Sequence, residues 1–283
     1  MTLPPKLHIR TMKQSELSIA LSWAQIEGWN PGIHDADLFY QADPNGFFVG
    51  EINNQIVAVG SAVNYDDRFA FCGLYIVAPE HRGKGYGLAL TKHRLKYCGE
   101  RNIGIDGVLE NVEIYKNIGY VPYYQNYRYQ FEASHKTNID RNITEVSEDS
   151  FVQVLNYDKK CFPANRDEFL ISWITQDDAK SLVYAVDDEV KGFIVRRKCH
   201  QGHKIGPLFA DNDQIAAQLL DAIQTGIQGE VVILDVPGNN PDAIHLAESL
   251  NIEVVFSTAR MYQKGLPDID NSKVFGITTF ELG

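Results

Sequence analysis

A two-lobed α/β chain, each lobe built on a mixed α+β sheet, is the architecture predicted by three observations. The first is a hairpin pattern and a strand that run into a glycine loop and a helix between Phe47 and Cys98. The second is the return of the same order from Ser181 onward, which reads as a tandem repeat. The third is size: 283 residues, 44% of them hydrophobic and 22% charged, are long for one core and comfortable for two.

Taken in order, Leu7 to Met12 reads as a strand. Lys13 to Gly28 reads as a helix whose apolar face is Leu17, Ala20, Leu21 and Ala24, and Asp35 to Gln41 as a second, short helix. Phe47 to Ile52 and Ile56 to Ala62 are β-rich runs joined by Asn53-Asn54-Gln55, and Phe69 to Val77 is one further strand. After it come the loop Arg82-Gly83-Lys84-Gly85-Tyr86-Gly87 and a helix from Leu88 to Cys98. The polar stretch from Ser134 to Asn142, which has no apolar period, reads as a linker and sets the lobes at about residues 1–133 and 143–283.

Glycines at a strand-to-helix junction let the backbone fold into a nest of N–H groups, and the first helical turn adds unpaired donors and a positive dipole end, a site suited to a pyrophosphate. The glycines alternate. That spacing fits neither the G-x-G-x-x-G of a dinucleotide fold nor the G-x-x-x-x-G-K-[ST] of a nucleotide-triphosphate loop. Between His81 and Arg101 the bases Arg82, Lys84, Lys92, Arg94, Lys96 and Arg101 meet one acid, Glu100, a local net of +5 in a chain of net −11. A basic island in an acidic protein suits a polyanionic ligand, although a solvated helix face explains part of it.

Composition excludes several classes. No apolar run approaches a membrane span, and the opening Met-Thr-Leu-Pro-Pro-Lys lacks the apolar core of a secretory signal, so a cytoplasmic protein is expected. Cys72, Cys98, Cys161 and Cys199 show no C-x-x-C pairing and are expected to be free thiols. Cys199-His200 with His203 reads as a turn, and no metal is expected. Net acidity argues against nucleic acid and for a cationic partner; any acceptor is expected to be small or cationic.

The pattern Arg-x-x-Gly-x-Gly after Val77-Ala78-Pro79 resembles the acyl-CoA loop of the GNAT superfamily of N-acyltransferases, with Arg82, Gly85 and Gly87 on its motif positions. The order of strands and helices is that of the family too. The resemblance implies acetyl-CoA as donor, bound by Arg82, Gly83, Lys84, Gly85, Tyr86 and Gly87, with the amides of Ile76 and Val77 holding the thioester carbonyl and the pantetheine arm. Glu113-Ile114-Tyr115-Lys116-Asn117-Ile118-Gly119-Tyr120 is similar to the family's Tyr-x-x-x-Gly-Phe ending of a helix, which makes Tyr115 the acid for the leaving thiolate. Where the family usually carries Asn, seven residues earlier, this chain has Val108; the second copy keeps Asn240.

The sequence identifies no clear general base. Asp106 serves through a water if it faces the cleft, or else is a turn residue beside Gly107. Glu51, Asp66 and Asp67 are weaker candidates on hairpin ends. Trp29 and Asn30, between the first two helices, either line the acceptor pocket or, in the case of Trp29, plug the core. The expected activity is transfer of an acetyl group to a primary amine. Its rivals are a non-catalytic acyl-CoA sensor and a scaffold that binds no CoA.

In the second copy, Leu182 to Val186, a turn at Asp187-Asp188-Glu189, Val190 to Arg196 and Ile205 to Phe209 repeat the hairpin and strand, and Gln214 to Ile227 reads as the helix. A fixed offset of 132 residues carries Arg128 onto Arg260 and Tyr115 onto Ala247. Ala210-Asp211-Asn212-Asp213 replaces the glycine loop, so carboxylates are expected to cap this helix and to repel phosphate. The second lobe is therefore expected to be degenerate, walling the acceptor site or pairing two copies into a homodimer.

Overall fold

The computed structural model describes residues 6–134, 139–250 and 253–283. Residues 1–5 of the opening segment and residues 135–138 of the expected linker lie outside the described residues.

The first lobe runs β1 (His8–Thr11), α1 (Leu17–Ile26), α2 (Asp35–Ala42), β2 (Phe47–Ile52), β3 (Gln55–Ser61), β4 (Val63–Asn64), β5 (Phe69–Cys72), β6 (Ile76–Val77), α3 (Tyr86–Cys98), β7 (Asn102–Val108), α4 (Val112–Asn117) and β8 (Val121–Glu132). The second runs β9 (Ile143–Glu145), α5 (Glu148–Cys161), α6 (Asp167–Thr175), β10 (Lys180–Val186), β11 (Glu189–Lys198), β12 (His203–Ala210), α7 (Asp213–Ile223), β13 (Val231–Pro237), α8 (Pro241–Ser249), β14 (Val254–Tyr262) and β15 (Val274–Gly276). The helix expected from Lys13 begins with a 3-10 turn at Gln14–Glu16, and α1 proper starts at Leu17. Both hairpins turn on residues with positive φ, Asn53 and Asn54 in one and Asp187 and Asp188 in the other. Asn and Asp tolerate that conformation better than other side-chain-bearing residues, which is why the duplication is legible at these turns.

The strand expected as one piece from Phe69 to Val77 is two. β5 pairs in parallel with β7 up to Cys72↔Ile105. The chain then breaks at Gly73-Leu74-Tyr75, with Leu74 at φ 43, and β6 pairs with β3 on the other side. The sheet splits there into a four-stranded part, β1-β2-β3-β6, and a long part that continues through β5 and β7.

That long part passes straight through both lobes in the order β4-β5-β7-β14-β8-β13-β12-β11-β10-β9. β14 of the second lobe lies antiparallel between β7 and β8 of the first, and β8 lies antiparallel between β14 and β13. Each lobe is completed by a strand from the other. The exchange carries paired charges: Arg128 on β8 meets Asp235 on β13 at 2.7 Å, and Arg260 on β14 meets Asp106 on β7 at 2.7 Å. The arginines are the pair related by the 132-residue offset, so the repeat preserved this exchange. A third arginine, Arg197 on β11, reaches Asp35 of α2 at 2.9 Å. One apolar cluster also spans the lobes, joining Leu17, Leu21 and Phe39 to Trp173, Phe193 and Phe209. Burial on this scale is what holds two such halves as one body.

Candidate active site

The split at Gly73 opens a cavity of about 500 Å³ between β6, α3 and β7. Its floor is the junction the sequence singled out. Gly83 and Gly85 have φ of +73° and +82°, a left-handed conformation that costs a side-chain-bearing residue roughly 1–2 kcal/mol. Gly85 is the N-cap of α3, and no side chain caps that helix. Ala89 is the first helical amide bonded back to the cap, at 3.1 Å to the Gly85 carbonyl. The N–H groups of Tyr86, Gly87 and Leu88 are therefore the unpaired donors of the first turn. Gly87 is required for a different reason: a Cβ there would lie 2.1 Å from the Tyr75 hydroxyl. Arg82 donates from Nε to the Val77 carbonyl at 2.8 Å and from Nη2 to Glu27 at 2.5 Å, which ties its guanidinium to β6 and to the residue after α1. Lys84 turns away to the Glu80 carbonyl at 2.7 Å.

Ile76 and Val77 are not equivalent. The Val77 carbonyl accepts from Arg82, so the Val77 backbone faces away from β3; strand alternation then turns the neighbouring Ile76 amide toward β3. Val77 alone of the two offers its N–H to the cleft. Arg94, counted in the basic island, is buried instead: it donates to the Ser61 carbonyl at 2.7 Å and lies over the Tyr75 ring, bracing the split.

Tyr115 on α4 lines the cavity, its ring laid on the bare backbone of Gly107, where a Cβ would come within 2.5 Å. Burial pushes its phenol above the ordinary value, opposed by a hydrogen bond with Asn111, so the group is a proton donor at neutral pH. Asp106 is placed differently from the expected water-assisted base. Its carboxylate is fully buried and accepts from Arg260 Nε and Nη2 at 2.9 and 2.7 Å, from Asn126 at 2.6 Å and from Thr258 at 3.3 Å. Four donors saturate it, and its work is to join the lobes.

The end of the cavity at Trp29 is built by both lobes. Trp29 lines the cavity, and its carbonyl accepts from Arg128 at 3.2 Å and Lys204 at 2.8 Å. Burial, reinforced by nearby Arg128, lowers the Lys204 ammonium pKa. Asn30 does not join Trp29 there. Its side chain donates to the Gln201 carbonyl and accepts from the Gln201 amide, both at 2.9 Å, clamping the α1–α2 loop to the second lobe. Opposite Trp29 stand Phe256 and Phe280, ring centroids 6.1 Å apart, with the Arg128 guanidinium 4.7 Å from the Phe280 ring. Glu281 completes the wall.

The corresponding cleft of the second lobe is filled by the chain itself. β12 and β13 pair only from His203↔Val232 to Ile205↔Leu234, and β15 then enters beside β12 at Leu208↔Gly276 and Phe209↔Val274. The Ile277 amide donates to the Asp235 carbonyl at 2.9 Å, and Gly206 has no room for a Cβ, which would lie 2.3 Å from the Thr278 carbonyl. Asn240 uses its amide donors on Ser272 and Val274, holding this tail. The start of α7 is occupied too, though the cap is Asn212, accepting from the Ile215 amide at 2.9 Å, where a carboxylate was expected. Asp211 instead receives Tyr157 at 2.8 Å and Lys273 at 2.6 Å.

Among the described residues, no group of three or more His, Cys, Asp or Glu is placed to hold a metal, and no helix is long and apolar enough to cross a membrane. The residues sequence reasoning missed are Arg94, Phe256, Phe280 and Glu281. Arg94 had a signal, its four-residue spacing from Leu90 and Cys98 on the buried face of α3. Phe280 and Glu281 had none, lying beyond the last repeated strand.

Comparison with known proteins gives a consistent result. Residues 16–128 match the acetyltransferase (GNAT) family, and residues 154–276 match an acetyltransferase (GNAT) domain. The chain is 32% identical over 269 residues to holothin acyltransferase of Pseudoalteromonas sp. (strain SANK 73390), across 95% of this chain and 92% of that protein. It is 24% identical to the uncharacterized N-acetyltransferase YitH of Bacillus subtilis (strain 168), across 76% of this chain and 77% of the other. In fold it is similar to the crystal structure of a putative acetyltransferase from Pyrococcus horikoshii, with a TM-score of 0.83 at 21% identity over 100% of this chain and 98% of that one. It is also similar to a tandem GNAT protein from the clavulanic acid biosynthesis pathway, with a TM-score of 0.63 at 11% identity over 91% and 98%.

Proposed function

The chain belongs to the GNAT acyltransferase family, as two such domains in tandem, and from that membership we propose that its first lobe transfers an acetyl group from acetyl-CoA to a primary amine. The observation that carries this reading is the asymmetry of the two clefts: one is open beside an uncapped helix start, and the other is closed by β15. The amides from Gly83 to Leu88, with Arg82, fit a diphosphate, and the N–H of Val77 fits the thioester oxygen as it gains charge. Bound there, the thioester supplies an activated acyl carbonyl. Tyr115 then delivers a proton to the departing sulfur, a role suited to a phenol that burial keeps protonated.

At the proposed acceptor end, Trp29, Phe256 and Phe280 line the cavity, with the Arg128 guanidinium against the Phe256 and Phe280 rings. Such walls favour a flat, largely apolar amine among the small or cationic acceptors expected from the sequence. A relative named for acylating holothin makes holothin the first acceptor to try.

The test is free-thiol release from acetyl-CoA with holothin, benzylamine, tryptamine and spermidine, alongside Tyr115→Phe. Turnover in the variant is expected to fall roughly 100-fold, as for loss of a general acid, with acetyl-CoA affinity unchanged. Equal turnover would remove Tyr115 from this role. A sensor would bind CoA yet release no thiol with any amine.

A further inference from the structure

We infer that Glu281, carried on the C-terminal tail of the second lobe, takes the proton from the acceptor amine in the first lobe's cavity; this rests on the acyl-transfer reading above. Three acidic residues are among those that line that cavity: Glu27, Asp106 and Glu281. Glu27 is engaged by Arg82 at the phosphate end, and Asp106 is saturated by Arg260, Asn126 and Thr258. Glu281 is the one with capacity left. Its Oε2 accepts from the Thr279 hydroxyl, and among the described residues no donor reaches Oε1.

Its placement is fixed by backbone contacts. A Cβ on Gly73 would lie 2.1 Å from the Glu281 carbonyl, so the tail is pressed against the residue at which β5 and β6 part. On either side of it, the Tyr65 hydroxyl donates to the Leu282 carbonyl at 2.8 Å and the Gly283 amide donates to the Thr279 carbonyl at 3.0 Å. Phe280 and Leu282 are buried in the shared core. The nearby cations Arg128, Arg197 and Lys204 are each held by another partner: Asp235, Asp35 and the Trp29 carbonyl. Glu281 thus lies beside the split, in the same cavity lining as Val77, whose amide is proposed to receive the carbonyl oxygen, and as the aromatic residues proposed to receive the amine.

The step balances without a further reagent. The amine nitrogen bonds to the acyl carbon as the carbon–sulfur bond breaks. One amine proton passes to Glu281, and the thiolate takes the Tyr115 proton. Solvent at the cavity mouth then relieves Glu281 and restores Tyr115, leaving an amide and CoA thiol. The second lobe has thereby lost its own cleft to β15 and, with the same tail, completes the cleft of the first.

The experiment uses the full-length chain with acetyl-CoA and the amine panel above, holothin included. Glu281→Gln is expected to lower kcat roughly 100-fold or more, the scale of a lost general base, with acetyl-CoA affinity by calorimetry unchanged. Formate is expected to restore part of the turnover of Glu281→Ala, which a merely structural role would not allow. Wild-type kcat in Glu281→Gln overturns the inference, as does lost turnover that comes with lost CoA binding and no rescue by formate. If the unaltered protein binds CoA and releases no thiol with any amine, the acyl-transfer reading falls and this inference with it.

Discussion

A chain ended at residue 133 is expected to show no cooperative unfolding transition, although it contains every residue of the glycine loop and Tyr115. Removing the second lobe strips β14 from between β7 and β8, where it pairs from Thr258↔Val108 to Tyr262↔Gly104 on one side and along the length of β8 on the other. β13 is lost as well, so one edge of β7 and both edges of β8 are left open, each a row of unpaired amides and carbonyls. Asp106 would lose Arg260 in a buried setting, and Arg128 would lose Asp235. Leu17, Leu21 and Phe39 would lose the apolar surface supplied by Trp173, Phe193 and Phe280. Urea titration followed by circular dichroism checks this outcome. A sharp transition in the fragment, with a slope appropriate to its size, would show that the strand exchange is dispensable.

Arg260→Leu is expected to destabilise the whole protein by about 3–5 kcal/mol, because it leaves the Asp106 carboxylate buried without its cation. For a chain of this size that is a drop in Tm of roughly 10 °C. Pairing it with Asp106→Leu is expected to recover most of the loss, since an apolar pair of similar volume avoids the desolvation of both charges. Thermal melts of the two single variants and the double variant form the cycle. If Arg260→Leu melts with the unaltered protein, the pair is not what joins β7 to β14.

The glycine-loop side of the cavity was legible in the sequence because it is written locally. Gly83, Gly85 and Gly87 are demanded by backbone conformation or close approach within a few residues, and the strand before them and the helix after them carry their own periodicity. The turns at Asn53-Asn54 and Asp187-Asp188 exposed the duplication for the same reason. The break at Gly73-Leu74-Tyr75 was hidden inside an unbroken apolar run from Phe69, since both pieces are buried and only their partners differ. Pairing across the lobes left no local trace at all. Asp106 looked like a free acid beside a glycine because its four donors come from residues 20 to 154 positions away. Asn30 looked like a pocket residue until Gln201, 171 positions on, claimed both ends of its amide. The cavity wall from Phe256 to Glu281 followed the same rule: it belongs by sequence to the second lobe, for which walling the site was one of two expected roles, but no local pattern named its residues.

Calorimetric titration of the full-length protein with CoA is the most direct test of the claim that one cleft is open and the other closed by the chain itself. One CoA per chain is expected, and none measurable with Gly85→Asp, which sets a carboxylate beside the backbone amides proposed to seat the diphosphate. Two CoA per chain, or one that persists in Gly85→Asp, would contradict it.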